Sequence, residues 1–182
     1  MRLYHCSPMA GLTLLEPRKP ESFDKPEYVY MTSSLPMALM YGIRNFEYSY
    51  GYTKDGEVYY EEYFPNALKE LYKGKHASLY ICCPNSFEIT RIPNERVSAQ
   101  PVRVVDEIQI PDIYEALMEQ ERLGALKILR HESLSTDQIA WIRKAEAAEI
   151  RKRNLLSACG PMAEYFRKHY PDSWIDAANE LR

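Results

Sequence analysis

The chain has 182 residues, a hydrophobic fraction of 46% and a formal net charge of −3. That length suits one domain, or one small domain with an appendage, and the apolar fraction is too high for a disordered chain. An acidic balance provides no global basic field for nucleic acid or an anionic membrane surface. No run approaches eighteen apolar residues, and no basic stretch followed by an apolar core opens the sequence. The expectation is a cytoplasmic protein with reduced thiols and no membrane segment.

Taken in chain order, Arg2 to Cys6 is an apolar-aromatic strand that ends around His5 and runs into small and turn-forming residues. Tyr28 to Thr32 is a second strand. Ser34 then caps a helix that tolerates Pro36 in its first turn, and Met37, Met40, Tyr41 and Arg44 at helical spacing carry it to about Arg44. Lys54-Asp55-Gly56-Glu57, between aromatic-rich runs, predicts a hairpin turn. Pro65 to Tyr72 predicts another helix, stopped at Lys73-Gly74. Ser78 to Cys83, Phe87 to Ile92 and Val102 to Ile110 complete the strands.

The pattern changes near Pro111, after which the sequence reads almost entirely as helix. Asp112-x-x-Glu115 and Ser135-x-x-Gln138 have the spacing of capping boxes. A long helix is predicted from about Thr136 to Ser157, a short one from Gly160-Pro161 to Tyr170, and a last one from Pro171. The expected organisation is a mixed-sheet domain over residues 1–111 and an α-helical extension over residues 112–182.

Three segments carry chemistry in a particular order. Leu3-Tyr4-His5-Cys6-Ser7 ends a strand on a histidine. Val29-Tyr30-Met31-Thr32-Ser33 precedes a helix that brings a second tyrosine, Tyr41, eleven residues after Tyr30. Asp106-Glu107-Ile108-Gln109-Ile110 places a glutamate on a strand that follows an acidic residue. Together they resemble the active-site elements of the His-Tyr-Glu class of ADP-ribosyltransferases. The Tyr30 to Tyr41 step is similar to that of the poly(ADP-ribose) polymerases, and the size and order of residues 2 to 111 are similar to the small bacterial enzymes that modify rifamycins.

The resemblance implies an α+β fold, with an ADP-ribosyltransferase-like split antiparallel or mixed β-sheet core and a helical C-terminal extension. It implies NAD as substrate, no metal, and transfer of ADP-ribose to an acceptor protein, nucleic acid or small molecule with release of nicotinamide. Cleaving the nicotinamide–ribose bond expels a neutral ring and leaves an oxocarbenium-like sugar, which a nearby carboxylate stabilises. By the same resemblance Glu107 is catalytic, and His5, Cys6, Ser7, Tyr30, Thr32 and Tyr41 bind the dinucleotide. His5 would orient a ribose, Tyr41 would stack on nicotinamide with Tyr30 as the opposite wall, and Ser7 and Thr32 would be supporting donors.

Two positions depart from the family. Cys6 stands where glycine is usual, so a main-chain grip on the carboxamide needs dihedrals that suit a side chain. Val105 stands where arginine-modifying members carry Gln or Glu, which argues against arginine as acceptor. Three alternatives accompany the transferase: an NAD glycohydrolase with the same site, a catalytically inactive binding module whose C-terminal helices dock a protein partner, and the RNA 2′-phosphotransferase branch. Glu107 counts against the last of these.

Elsewhere the sequence offers less. Glu61-Glu62 would point to opposite faces of a strand. His76, His131 and His169 lack ligand spacing, and the cysteines form no C-x-x-C. Fifteen tyrosines against five phenylalanines suit either a wet aromatic cleft or the exposed faces of a sheet. The Arg143 to Arg153 charge run reads as the solvated face of a helix.

Overall fold

A computed structural model describes residues 2–19 and 26–180. The first strand, β1 (Leu3–Ser7), is followed by β2 (Leu14–Leu15) and β3 (Val29–Thr32). Helix α1 (Leu35–Met40) starts where Ser34 accepts a hydrogen bond from the Met37 N–H, with Pro36 in the first turn, where its missing N–H costs nothing. It ends with Tyr41 as its C-cap, three residues short of the predicted Arg44. The hairpin β4 (Tyr50–Tyr52) and β5 (Val58–Glu61) turns at the expected Lys54–Glu57 segment, where Gly56 has φ of 84°. The Gly56 N–H closes this turn on the Thr53 carbonyl.

After α2 (Ala67–Tyr72) come β6 (Ala77–Cys82), β7 (Glu88–Ile89), β8 (Glu95–Ser98) and β9 (Val102–Ile110). Asp112 caps α3 (Ile113–Arg122), and its carboxylate accepts from the Glu115 N–H at 3.3 Å and the Gly74 N–H at 3.0 Å. The segment after Pro111 is not wholly helical: β10 (Leu126–Leu129) is a strand in a three-stranded sheet ordered β10-β5-β4. Its Leu-Lys-Ile-Leu sequence is short and apolar at alternate positions, and sheet pairing overrides its helix propensity.

The main sheet has seven strands in the order β2-β9-β6-β1-β3-β8-β7, and every neighbouring pair is antiparallel. This gives an α+β architecture with β6 and β1 at the centre. One face buries Leu3, Leu15, Val29, Met31, Tyr80, Cys82 and Val102 as a continuous apolar cluster. The other carries Cys6 and Thr32 and is packed by α1. A methyl group at Gly42, just after that helix, would come within 2.7 Å of Cys6 Sγ and 3.3 Å of Ala77 Cβ.

Helix α4 (Thr136–Lys152) opens with a complete capping box between Ser135 and Gln138. It stops five residues before the predicted Ser157, because Asn154 adopts a left-handed conformation (φ 54°) and a 3₁₀ turn, Leu155–Ser157, follows. Helices α5 (Pro161–His169) and α6 (Pro171–Asn179) each begin on a proline.

The residues fall into two units. One comprises Met1–Arg44, Tyr50–Tyr60 and Leu68–Ile128; the other comprises Asn45–Ser49, Glu61–Ala67 and Leu129–Arg182. The second unit has an aromatic core in which Phe64 stacks on His169 at 4.1 Å and meets Tyr165 and Tyr170 edge-on. Within it the Tyr170 hydroxyl donates to the buried carboxylate of Glu47. Among the described residues, no helix is long and apolar enough to cross a membrane.

Candidate functional site

The chemistry-bearing residues of the first unit are organised by strand register. His5 on β1 pairs with Tyr80 on β6, and Tyr80 pairs in turn with Glu107 on β9. Directly opposed residues of an antiparallel pair point to the same face. His5, Tyr80 and Glu107 therefore form one row across the three adjacent strands. A second row beside it contains Ser7, Ser78 and Gln109.

His5 is oriented by the next strand, because its Nδ1 lies 2.9 Å from the Tyr30 carbonyl oxygen. That oxygen can only accept, so Nδ1 carries the proton and Nε2 is left as an acceptor. Burial, partly opposed by the bond to Tyr30, pushes the His5 pKa down, with the Arg18 charge adding to the lowering. The imidazole is accordingly neutral at pH 7. Among the described residues, β1 and β3 pair once, at Tyr4↔Thr32. Beyond that pair, the Tyr30 carbonyl takes the His5 side chain.

Glu107 is half-buried and richly supplied with donors. The Gly11 N–H lies 3.1 Å from both carboxylate oxygens, and Gln109 Nε2 donates to Oε1. The same amide nitrogen donates to Ser78 Oγ at 3.1 Å. The Ser78 hydroxyl first, then the Gly11 N–H, hold the Glu107 carboxyl below the usual carboxylate range. It is an anion at neutral pH.

Tyr80 joins these groups to the loop after β1. Its ring is fully buried, and its hydroxyl donates to the Met9 carbonyl at 2.6 Å and accepts from the Leu12 N–H at 3.2 Å. The single hydroxyl proton is spent on Met9, so the 3.5 Å approach to Glu107 Oε1 is a dipolar contact.

Of the seven residues singled out in the sequence, His5, Ser7 and Glu107 share one face. Ser7 Oγ accepts from the Met9 N–H at 3.2 Å. Strand alternation turns Cys6, Tyr30 and Thr32 to the face covered by α1. Cys6 is buried, and its thiol is pushed up to about 12 by loss of solvent. Thr32 is buried, and Tyr30 donates its hydroxyl to the Pro26 carbonyl at 2.9 Å. Tyr41 is 42% exposed and meets Tyr50 edge-on at 5.8 Å. Because Gly42 sits against Cys6, Tyr41 is adjacent to the end of β1.

Tyr80, Gly11, Ser78 and Gln109 were not singled out in the sequence. Gln109 had a signal, being two residues from Glu107 on a strand and hence on its face. Tyr80 and Gly11 had none, since strand pairing brings the first beside Glu107 and the loop after β1 brings the second.

A separate cleft of about 770 Å³ in the same unit runs past Ser33, Ser34, Asn94, Glu121 and Lys127 and contains none of the seven. Among the described residues, no group of three or more His, Cys, Asp or Glu could hold a metal ion. Comparison with known family models, curated proteins and solved structures finds no match for this chain.

Proposed function

We propose that the first unit is an ADP-ribosyltransferase-like domain that binds NAD and moves its ADP-ribosyl group to an acceptor nucleophile, working in the cytoplasm. The observation that carries this is the single row of His5, Tyr80 and Glu107 across the sheet centre. It puts a neutral imidazole and an ionised carboxylate on one face, the pair needed to orient a ribose and to offset positive charge developing at its anomeric carbon.

Beyond Tyr4↔Thr32 the Tyr30 carbonyl takes the His5 side chain, which ties the imidazole to β3. In this reading the nicotinamide ring lies beside His5, with Tyr30 and Tyr41 toward the α1 side. Cys6 and Ser7 would then offer main-chain atoms to a carboxamide. In the reaction, the bond between nicotinamide nitrogen and C1′ breaks, and its electron pair leaves with neutral nicotinamide. The acceptor forms the new bond to C1′ and gives up its proton to solvent. Water as acceptor would make the same site a glycohydrolase.

The residues fit NAD as substrate in donor chemistry: an acceptor at His5 Nε2, a carboxylate at Glu107 and an exposed aromatic ring at Tyr41. The direct test is release of nicotinamide from NAD by the purified protein, followed by a search for ADP-ribose on candidate acceptors. A second possibility is favoured by one contact. Both Glu107 oxygens already accept from the Gly11 N–H, as expected of a carboxylate that only tethers a loop in a non-catalytic binding module. Absence of NAD binding together with a stable complex between the protein and a partner would favour that alternative.

A further inference from the structure

We infer that Tyr80 is a positioning residue for Glu107, acting through the loop that follows β1. The inference rests on the ADP-ribosyl transfer proposed above and assigns it a further residue.

Tyr80 lies in the central strand between the histidine and the carboxylate, and its ring is fully buried in the apolar cluster. A phenylalanine would fill that space equally well. The hydroxyl instead takes two main-chain partners from one short loop, Met9 O at 2.6 Å and Leu12 N at 3.2 Å. These bonds bracket Gly11, which has a left-handed φ of 76° and whose N–H meets Glu107. That N–H sits 3.1 Å from both carboxylate oxygens, so it lies near the bisector of the carboxylate and fixes its orientation. Gln109 holds Oε1 from the strand itself, and Ser78 supports Gln109.

One phenol thus sets the loop, the loop sets a main-chain donor, and the donor sets the charge. Each link is a hydrogen bond that one atom can remove. With the hydroxyl gone, the loop loses both bonds to Tyr80, keeps the Met9 N–H bond to Ser7 Oγ at its start, and no longer holds Gly11 against the carboxylate. Glu107 then keeps only its strand-borne donors. Fewer donors to a carboxylate raise its pKa.

Tyr80→Phe in the full chain tests this with readouts that do not need turnover. Glu107 is followed by carbon-detected NMR titration, and the Gly11 and Leu12 amides by hydrogen exchange. The expected results are an upward shift of the Glu107 titration and exchange roughly tenfold faster at both amides, the scale of a lost hydrogen bond. Nicotinamide release should fall mainly in kcat, with its acid limb moved to higher pH and KM for NAD little changed. Unchanged Gly11 exchange overturns the inference even if the titration moves, because loss of the direct 3.5 Å contact between the Tyr80 hydroxyl and Glu107 would shift the carboxylate without the loop.

Glu107→Gln is the check that leaves the core untouched. Gly11 exchange should accelerate while Leu12, still held by Tyr80, stays slow; acceleration of both together overturns the independent role of Tyr80. Wild-type protein that releases no nicotinamide removes the transferase proposal instead. The titration and exchange measurements still decide whether Tyr80 sets the carboxylate.

Discussion

Replacing Glu146 by glutamine should remove a large part of the loss in stability that the C-terminal unit suffers as pH rises. Glu146 projects from α4 into that unit and is 6% exposed. Burial first, then the charges of Glu47 and Glu149, push its carboxyl from an ordinary 4.5 up to about 8, with Arg153 opposing. The folded state therefore holds a proton that the unfolded chain releases. A raised acid pKa gives stability that is complete below pH 4.5 and is lost as pH rises toward 8. The gap between 4.5 and about 8, at about 1.4 kcal/mol per pH unit, is worth about 5 kcal/mol. That equals the whole stability of many small units. Glutamine matches the neutral acid in shape and cannot ionise. Both tryptophans, Trp141 and Trp174, lie in this unit, so their fluorescence reports its unfolding in urea. Glu146→Gln should be within about 1 kcal/mol of wild type at pH 5 and several kcal/mol more stable at pH 8. Parallel pH dependence in the two proteins would refute a neutral buried Glu146.

Gly42→Ala should destabilise the first unit by about 1–3 kcal/mol, because its methyl would meet Cys6 Sγ at 2.7 Å and the Leu39 carbonyl at 3.0 Å. Cys6→Ala in the same chain should recover part of that loss in thermal melts, and no recovery would show the carbonyl to be the decisive contact. Tyr41→Phe should bind NAD like wild type because the ring face remains. Tyr41→Ala should weaken binding by roughly 1–3 kcal/mol, as for loss of a base-stacking ring. Unchanged affinity of folded Tyr41→Ala in calorimetry would take Tyr41 out of the site.

Much of the α+β pattern was legible because local signals were strong. Ser34 with Pro36, Asp112 with Glu115, and Ser135 with Gln138 all mark helix starts that the structure contains. The Lys54–Glu57 turn was readable from Gly56, which has the positive φ a hairpin turn requires. The misses have two causes, non-local strand pairing that overrides local propensity and a local backbone choice at a helix end. Leu126–Leu129 is too short for its alternation to mark it as a strand, and its pairing beside β5 lies outside its own sequence. The end of α4 moved because Asn154 accepts a left-handed backbone, a choice open to any helix containing Asn.

At the candidate site, residue types and order were readable from single strands, whereas face was not. His5 and Tyr30 are both strand residues, yet alternation and register send their side chains to opposite faces. The loop contacts on Glu107 come from Gly11, ninety-six positions away, and no spacing rule reaches that far.

The most direct measurement of the central claim is nicotinamide release from NAD by wild type and Glu107→Gln, with NAD affinity measured on both. Glutamine keeps the shape and removes the charge. Release by wild type, a fall on the order of 10²-fold or more in the variant, and a much smaller change in affinity are the predicted results. Equal release by the two proteins, or no release by wild type, would contradict a catalytic carboxylate at Glu107.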